Sequence, residues 1–382
     1  MIYFDNNATT PISEDVRQAM MPYLTEAYGN PNSIHEAGNR TRVAIEKARN
    51  QVARAIGATA SEITFTGSGS ESNNHAILGV LQAHWKKERS AAGKNLVISA
   101  IEHPSVKATA EWAAKMFGYE LRIARFATKD GIVDLAPFEE AIDDATILVS
   151  TMVANNETGT LLPVAEIFEL ARAKGALCHC DGVQALGKIK VNVAELGCDL
   201  FSMAAHKLHG PKGVGALFTR RGVKIEVLVH GGAQESGRRA GTENVAYIAG
   251  AGVAAEQAAA VDLAAIAAIR DHFESKLRER FDKAIHINFA DLPRTPNVSS
   301  VQFKGQDGNL LLIKLDRKEL CASTGSACSS GSLSVSGTLL AMGLTEAQAR
   351  ATLRFSLSKF TTEAEVAEAI DRIAEVFKPG RR

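Results

Sequence analysis

Short runs of β-branched and apolar residues alternate with alanine-rich stretches between about residue 60 and residue 220. This alternation predicts an α/β fold in which helices cover a mainly parallel sheet. Four runs are interpreted as buried strands: EITFTG (62–67), LVISAI (96–101), TILVSTMVA (146–154) and ALCHC (176–180). Polar residues follow each run. Because ligands bind beyond the carboxyl ends of strands in such sheets, the first candidates for a site are residues 68–74, 102–103, 155–159 and 181–184.

A long helical stretch, AAEQAAAVDLAAIAAIRDHFESKLRERFDKAI, leads from this region to a second one. There NVSSVQF and NLLLIKL are interpreted as strands, and Thr362 with Glu365 forms a capping box before a helix. The apolar face of that helix carries Val366, Ile370, Ile373 and Phe377. The predicted organisation is a large domain over residues 15–255 and a smaller α+β domain formed by residues 1–14 and 256–382.

The composition indicates a globular protein without a global electrostatic field. Of the 382 residues, 46% are hydrophobic, and 43 basic residues balance 43 acidic ones. We therefore expect small molecules or specific proteins as partners, rather than nucleic acid or a membrane surface. No segment reaches the roughly 18 apolar residues of a membrane span, and the start, MIYFDNNATTP, lacks a leader pattern, so a cytoplasmic protein is expected. Five cysteines without paired spacing favour reduced thiols.

The segment SMAAHKLHGPKGVGALF places Lys207 between two histidines, His206 and His209. Desolvation and nearby cationic groups lower the pKa of a lysine and make its amine nucleophilic enough for a Schiff base. The alternative is a surface lysine beside a turn. Asp181 ends a predicted buried strand, where its carboxylate would hold a pyridinium nitrogen protonated, as enzymes that use pyridoxal 5′-phosphate (PLP) require. As an alternative, Asp181 caps the next helix.

Two further segments offer ligand-binding groups. TGSGSESNNHAIL (66–78) is a glycine- and serine-rich turn between a strand and a helix, an arrangement that binds phosphate. His103 follows a strand, where it either stacks on a cofactor ring and moves protons or is an ordinary loop histidine. In CHCD, strand alternation sends Cys178 and Cys180 to one face and His179 to the other, so no metal site is assigned.

Cys328 lies in STGSACSSGS, among small polar residues. This composition predicts a mobile, solvent-accessible loop, about residues 321–337, within the small domain. The thiol is either reactive or incidental to a linker.

These residues resemble the NifS/IscS-like cysteine desulfurases, which are fold-type-I PLP enzymes of aminotransferase class V. The resemblance covers essentially the whole chain and rests on an ordered set of motifs: YFDNNATTP, GNPNSIHEAG, FTGSGSESNN, EHPSV, NNETG, DGVQ, AHKLHGPKG, GGAQESGRRAGTEN, STGSACSSGS and LRFSLSKFTTEAE. It implies a large domain with a mainly parallel seven-stranded sheet and a smaller α+β domain. It also implies PLP as the cofactor and a homodimer.

The resemblance assigns a role to each matching residue. It makes Lys207 the Schiff-base lysine that shuttles the substrate proton. It makes Cys328 the thiol that takes sulfur from L-cysteine as a persulfide and leaves alanine. The remaining roles are Asp181 at the pyridine nitrogen, Gln184 at the ring hydroxyl, His103 on the ring, Asn156 beside ring and substrate, Arg354 at the substrate carboxylate, Gly69, Ser70 and His206 around the phosphate, and Thr242 reaching the phosphate from the other subunit.

The implied function is transfer of sulfur to an acceptor protein, such as an iron–sulfur scaffold. Selenocysteine lyase and a class V aminotransferase are alternatives within the resemblance, and a non-catalytic sulfur carrier or scaffold is an alternative of a different class. The chain departs from its relatives at Ala204, where many carry a serine in the phosphate cup. We expect one phosphate hydrogen bond to be missing there.

Overall fold

A computed structural model of the chain describes residues 1–325 and 335–378. The strands are β1 (Ile2–Tyr3), β2 (Ile63–Thr66), β3 (Asn95–Ser99), β4 (Glu120–Ala124), β5 (Thr128–Lys129), β6 (Ile132–Val133), β7 (Thr146–Met152), β8 (Leu177–Asp181), β9 (Leu200–Ala204), β10 (Gly215–Thr219), β11 (Ile285–Ile287), β12 (Val298–Phe303), β13 (Leu320–Cys321) and β14 (Thr352–Ser356). The helices are α1 (Glu14–Thr25), α2 (Glu36–Ala55), α3 (Gly69–Glu88), α4 (Pro104–Phe117), α5 (Ala136–Ala141), α6 (Val164–Ala173), α7 (Val245–Ala259), α8 (Leu263–Phe281), α9 (Gly308–Asp316), α10 (Gly337–Ala341), α11 (Glu346–Arg350) and α12 (Glu363–Val376).

The central sheet has seven strands in the order β2-β10-β9-β8-β7-β3-β4. All neighbouring strands are parallel except β10, which runs antiparallel to both β2 and β9. The predicted α/β fold with a mainly parallel seven-stranded sheet is confirmed, and the four predicted strands correspond to β2, β3, β7 and β8.

Apolar side chains cover both faces of this sheet. Neighbouring residues of β7 divide between two hydrophobic clusters, with Leu148 in one and Val149 in the other. Side chains alternate between the faces of a strand, so a strand covered on both sides needs a continuous apolar run rather than an alternating one. The unbroken apolar runs in the sequence therefore identify the central strands.

A separate hydrophobic cluster lies around the antiparallel sheet β11-β12-β14. It contains Phe273, Phe303, Phe355 and Phe377, and it also includes Ile2 and Phe4 from the start of the chain. β1 pairs with β13 in parallel, so the first residues join the structure formed by the last hundred. The boundaries of the two predicted domains stay a prediction.

Two expectations for the C-terminal half are corrected. NLLLIKL is not a strand but most of α9, in which Asp307 caps the helix by accepting a hydrogen bond from the Leu310 N–H at 3.0 Å. Leu311 and Leu315 are buried one turn apart, whereas Leu310 and Ile313 are exposed. A short apolar run does not distinguish a strand from a helix, and here the capping aspartate decides.

The long helical stretch is two helices, α7 and α8, because Asp262 caps a new helix through the Ala265 N–H at 3.0 Å. None of the described helices alone has the length and apolar content to cross a bilayer. α7 and the stretch from Leu263 to Ala284 meet these two criteria only when they are taken together, and they are bent by 76° relative to each other. The capping box of Thr362 and Glu365 at the start of α12 is confirmed.

Candidate active site

A cavity of about 1000 Å³ opens beyond the carboxyl ends of the central strands. It is lined by residues that follow β2, β3, β7, β8 and β9, and by Arg354 from β14. The predicted residues among its lining are Gly69, Ser70, His103, Asn156, Asp181, Gln184, His206, Lys207 and Arg354. The structure therefore brings nine of the eleven predicted site residues to one cavity.

Lys207 enters this cavity from a short 3-10 helix, Ala205–Lys207, directly after β9. Its Nζ donates hydrogen bonds to the backbone oxygens of Asn7, at 2.6 Å, and Ala8, at 2.7 Å. Both acceptors are uncharged carbonyl groups from the N-terminal segment. They fix the position of the amine without supplying a negative charge that would hold its proton.

The two histidines beside Lys207 are neutral at physiological pH. Burial, followed by the charge of Lys207, lowers the pKa of His206 to about 4. Burial also lowers the pKa of His209 to about 4, although the Pro11 carbonyl opposes this shift. The histidines therefore do not supply the positive charge expected beside Lys207, and they act as neutral hydrogen-bonding groups.

Asp181 ends β8, and each of its carboxylate oxygens accepts one hydrogen bond from the protein. Oδ2 accepts from Asn73 Nδ2 at 2.8 Å, and Oδ1 accepts from the Val183 N–H at 3.0 Å. Asn73 also donates to Ser105 Oγ at 2.9 Å, so its amide is itself held in place. The carboxylate is thereby oriented at the cavity wall, where it suits a protonated ring nitrogen.

The N-terminus of α3 forms the phosphate-binding part of the cavity. Ser68 caps this 20-residue helix by accepting a hydrogen bond from the Glu71 N–H at 3.1 Å, and Gly69 and Ser70 line the cavity. A Cβ atom at Gly69 would lie only 2.7 Å from Val183 Cγ2 and 3.2 Å from Ala204 Cβ. The absence of a side chain at Gly69 thus lets the start of α3 pack closely against Val183 and Ala204, and a helix N-terminus that borders a cavity can bind phosphate through its first backbone N–H groups.

His103 caps α4 at the edge of the cavity. Its Nδ1 accepts a hydrogen bond from the Ser105 N–H at 3.1 Å and lies 2.7 Å from Ser105 Oγ. In the neutral ring this assignment places the proton on Nε2. The ring is held by its own helix, which suits a residue that stacks on a cofactor or moves a proton.

Arg354 and Asn156 meet at another wall of the cavity. Arg354 Nη1 donates to the Asn156 backbone oxygen at 3.0 Å, and Nη2 donates to Asp5 Oδ1 at 2.6 Å. The Arg354 side chain is almost fully buried. A planar guanidinium held on one side by these acceptors is oriented to bind a substrate carboxylate.

Asn7, Lys188 and Asp5 are contacts of the site that sequence analysis missed, whereas Asn73 lies in the candidate range 68–74 but was given no role. Asn7 accepts hydrogen bonds on its backbone oxygen from Lys207 and from Gln184 Nε2, the latter at 3.0 Å. Its own Nδ2 donates to the Asn156 backbone oxygen at 3.0 Å. The residue lies in the quoted motif YFDNNATTP, but no local pattern shows that it contacts residues 149 to 200 positions away.

A buried carboxyl group, Glu102, lies beneath the cavity next to His103. Burial raises the pKa of Glu102 to about 8, although the Ser99 hydroxyl and the Met152 N–H, the latter at 2.8 Å, donate hydrogen bonds to it.

Glu157 is also buried, and burial raises its pKa. The Ser336 hydroxyl donates to Glu157 at 2.5 Å and caps α10.

Two predicted site residues are not among the described residues that line the cavity. Cys328 lies outside the described residues, but Gly325, the last described residue before it, lines the cavity. Thr242 is exposed on the surface of this single chain. Its predicted contact with a phosphate across a subunit boundary stays a prediction.

The CHCD segment has a packing role. Cys178 and Cys180 belong to the large hydrophobic cluster, and the His179 ring lies 2.7 Å from Ser150 Oγ and 2.9 Å from Ser202 Oγ on neighbouring strands. Burial lowers the pKa of His179 to about 3, so the ring is neutral. Residues 1–325 and 335–378 contain no group of three potential metal-ligating side chains.

Comparisons with known proteins identify the family to which this chain belongs. The family model for aminotransferase class V matches residues 2–368. The cysteine desulfurase IscS of Dictyoglomus turgidum is 41% identical over 99% of this chain and 94% of that protein, and the cysteine desulfurase NifS of Azotobacter vinelandii is 40% identical over 98% and 92%. A solved NifS-like protein superposes with a TM-score of 0.87 at 36% identity, covering 98% of both chains. The chain belongs to the class V aminotransferase family and, within it, to the cysteine desulfurases of the NifS and IscS type.

Proposed function

We propose that this chain is a PLP-dependent cysteine desulfurase that converts L-cysteine to L-alanine and carries the sulfur as a persulfide on Cys328. One observation carries the proposal. Lys207, Asp181 and Arg354 line one cavity, and Gly325, three positions before Cys328, lines it too. The amine, the carboxylate and the guanidinium match the three groups that a PLP enzyme acting on an amino acid requires.

The residues of the cavity fit PLP. The open backbone N–H groups at Gly69 and Ser70, with His206 beside them, suit the phosphate. Asp181 suits the ring nitrogen, Gln184 the ring oxygen, and His103 the ring face. When bound, PLP supplies an electron sink that makes the bonds at the substrate's α-carbon reactive. Ala204 offers no hydroxyl to the phosphate, so the N-terminus of α3 contributes a larger share of the hydrogen bonds that bind the phosphate.

Each remaining step falls to side chains of this chain. Arg354 binds the substrate carboxylate, and Asn156 lies beside it. The Lys207 amine, held by two carbonyl oxygens, accepts and returns the substrate proton. The Cys328 thiolate then forms an S–S bond to the substrate sulfur, the bond between that sulfur and Cβ breaks, and Cβ takes up a proton to give alanine.

The persulfide sulfur passes to an acceptor protein, which we propose to be an iron–sulfur scaffold. We propose further that the protein is a cytoplasmic homodimer in which Thr242 of the partner subunit completes the phosphate site. The family membership and the exposure of Thr242 on the single chain support this arrangement.

The test measures alanine formed from L-cysteine in the presence of a reductant. The parent is compared with Cys328→Ala and with Cys321→Ala, a control that removes a thiol from β13. We expect the parent and the control to form alanine. Cys328→Ala should form almost none while it still takes up PLP. Equal alanine formation by all three proteins would exclude Cys328 as the required sulfur acceptor, whereas a parent that forms no alanine from L-cysteine would favour an aminotransferase with an incidental thiol.

A further inference from the structure

A second lysine, Lys188, is buried behind the candidate active site. It follows Gly187 in the turn region after β8, and only 6% of its surface is exposed. It borders a small cavity of about 40 Å³ that Lys207 and Asn297 also line. A lysine is seldom buried to this extent without a specific interaction.

The partners of the Lys188 amine are both uncharged. Its Nζ donates to Asn7 Oδ1 at 3.0 Å and to Gln184 Oε1. Burial, followed by the positive charges of Lys207 and Arg354, lowers its pKa well below the ordinary value. Among the residues that the structure describes, Lys188 therefore forms no ion pair, and its contacts require another explanation.

Both partners belong to the hydrogen-bond network that holds Lys207. The Asn7 backbone oxygen accepts from Lys207 Nζ and from Gln184 Nε2. The Asn7 side-chain oxygen accepts from Lys188 and, at 3.0 Å, from Asn297 Nδ2. Lys188 and Lys207 thus both donate to Asn7, Lys188 to its side-chain oxygen and Lys207 to its backbone oxygen.

This arrangement leaves the Gln184 amide only one orientation. Its Oε1 accepts from Lys188, and one of its two N–H groups donates to the Asn7 oxygen at 3.0 Å. If the amide were flipped, its oxygen would face the Asn7 backbone oxygen, which is repulsive, and its NH2 would face the Lys188 amine, which is repulsive whenever that amine is protonated. Because Gln184 also lines the cavity, its second N–H is the donor that this amide can offer to a ligand bound there.

We propose that Lys188 is a positioning residue that, through the Gln184 amide, makes this site select a ligand with an anionic ring oxygen. The inference rests on the proposed PLP chemistry, because the ring oxygen of PLP is the acceptor that this N–H would meet. A donor held in place stabilises the deprotonated oxygen, whereas an amide free to flip would present its own oxygen for part of the time.

The test replaces Lys188 with methionine, which has a similar length but no donor and no charge. PLP is titrated into the purified full-length protein, and the absorbance of the bound PLP is followed from about pH 6 to about pH 10. We expect PLP affinity to fall about tenfold and the midpoint of the absorbance change to rise by about one pH unit. Lys188→Gln serves as a second variant if Lys188→Met does not fold. Lys190→Met, at an exposed neighbour, is the matched control.

A double-mutant cycle distinguishes positioning from a general effect on folding. Because Lys188 acts through Gln184, Gln184→Ala should shift the same midpoint, and the double variant should shift it little further. Additive shifts, or a Lys188 variant with an unchanged midpoint and affinity, would overturn the positioning role while the parent still binds PLP. If the parent took up no PLP, the proposed function and this inference would fail together.

Discussion

Glu102→Gln should make the stability of the protein less dependent on pH. Burial raises the pKa of Glu102 from its ordinary value of 4.5 to about 8. Between these two values the folded protein keeps a proton that the unfolded chain has released. The stabilisation from protonated Glu102 is therefore complete below pH 4.5, falls as the pH rises, and is lost above pH 8.

The size of the effect follows from this window. One proton held only in the folded state changes the free energy of unfolding by about 1.4 kcal/mol per pH unit. Between about pH 5 and pH 8 the free energy of unfolding of the parent should fall by roughly 3 to 4 kcal/mol relative to that of a protein without this group. Glutamine has no titrating group, and its Oε1 can accept the same hydrogen bonds from Ser99 and the Met152 N–H.

The assay is thermal unfolding of the parent and the variant at pH values between about 5 and 8. The midpoint of Glu102→Gln, relative to that of the parent, should rise steadily with pH. Glu111→Gln, on the exposed side of α4, is the control and should run parallel to the parent. A constant difference between Glu102→Gln and the parent across the range would show that Glu102 is already ionised in the fold, which would refute the reasoning.

Three further substitutions test the site and its support. Gly69→Ala places a Cβ atom 2.7 Å from Val183 Cγ2, so PLP affinity in a spectrophotometric titration should fall about tenfold; unchanged affinity would exclude the phosphate cradle. Arg354→Lys loses the planar donor pair, so the KM for L-cysteine should rise at least about tenfold; a changed kcat with an unchanged KM would contradict carboxylate binding. Glu235→Gln removes the buried one of two charge partners of Arg49, bonded at 2.6 Å, and should lower stability by about 3 kcal/mol, seen as a lower thermal midpoint; an unchanged midpoint would show that this pair contributes nothing.

The predictable parts of this fold are those that local sequence determines. The central strands are recognisable because strands buried on both faces require continuous apolar runs, and the start of α12 because Thr362 and Glu365 form a local capping box. The prediction of a strand at α9 is wrong because a short run of apolar residues is compatible with both a strand and a helix, and only Asp307 indicates that a helix begins there.

The resemblance to a family assigned roles to nine residues that line the cavity but none to the residues that hold them in place. Asn7 and Asn73 act through contacts with residues more than a hundred positions away. No periodicity or spacing encodes such contacts. Lys188 looks like an ordinary lysine after a turn, and only its burial and its amide partners show a different role.

The pairing of β1 with β13 has a consequence for how the protein is made. Asn6 and Asn7 bond to Ser356, about 350 positions along the chain, so the N-terminal segment leaves the ribosome long before its partners exist. Contacts of such sequence separation form late and slowly in folding. The backbone oxygens that hold Lys207 thus reach their places only after β14 has been synthesised, and a growing chain cannot assemble a working site before that strand is present.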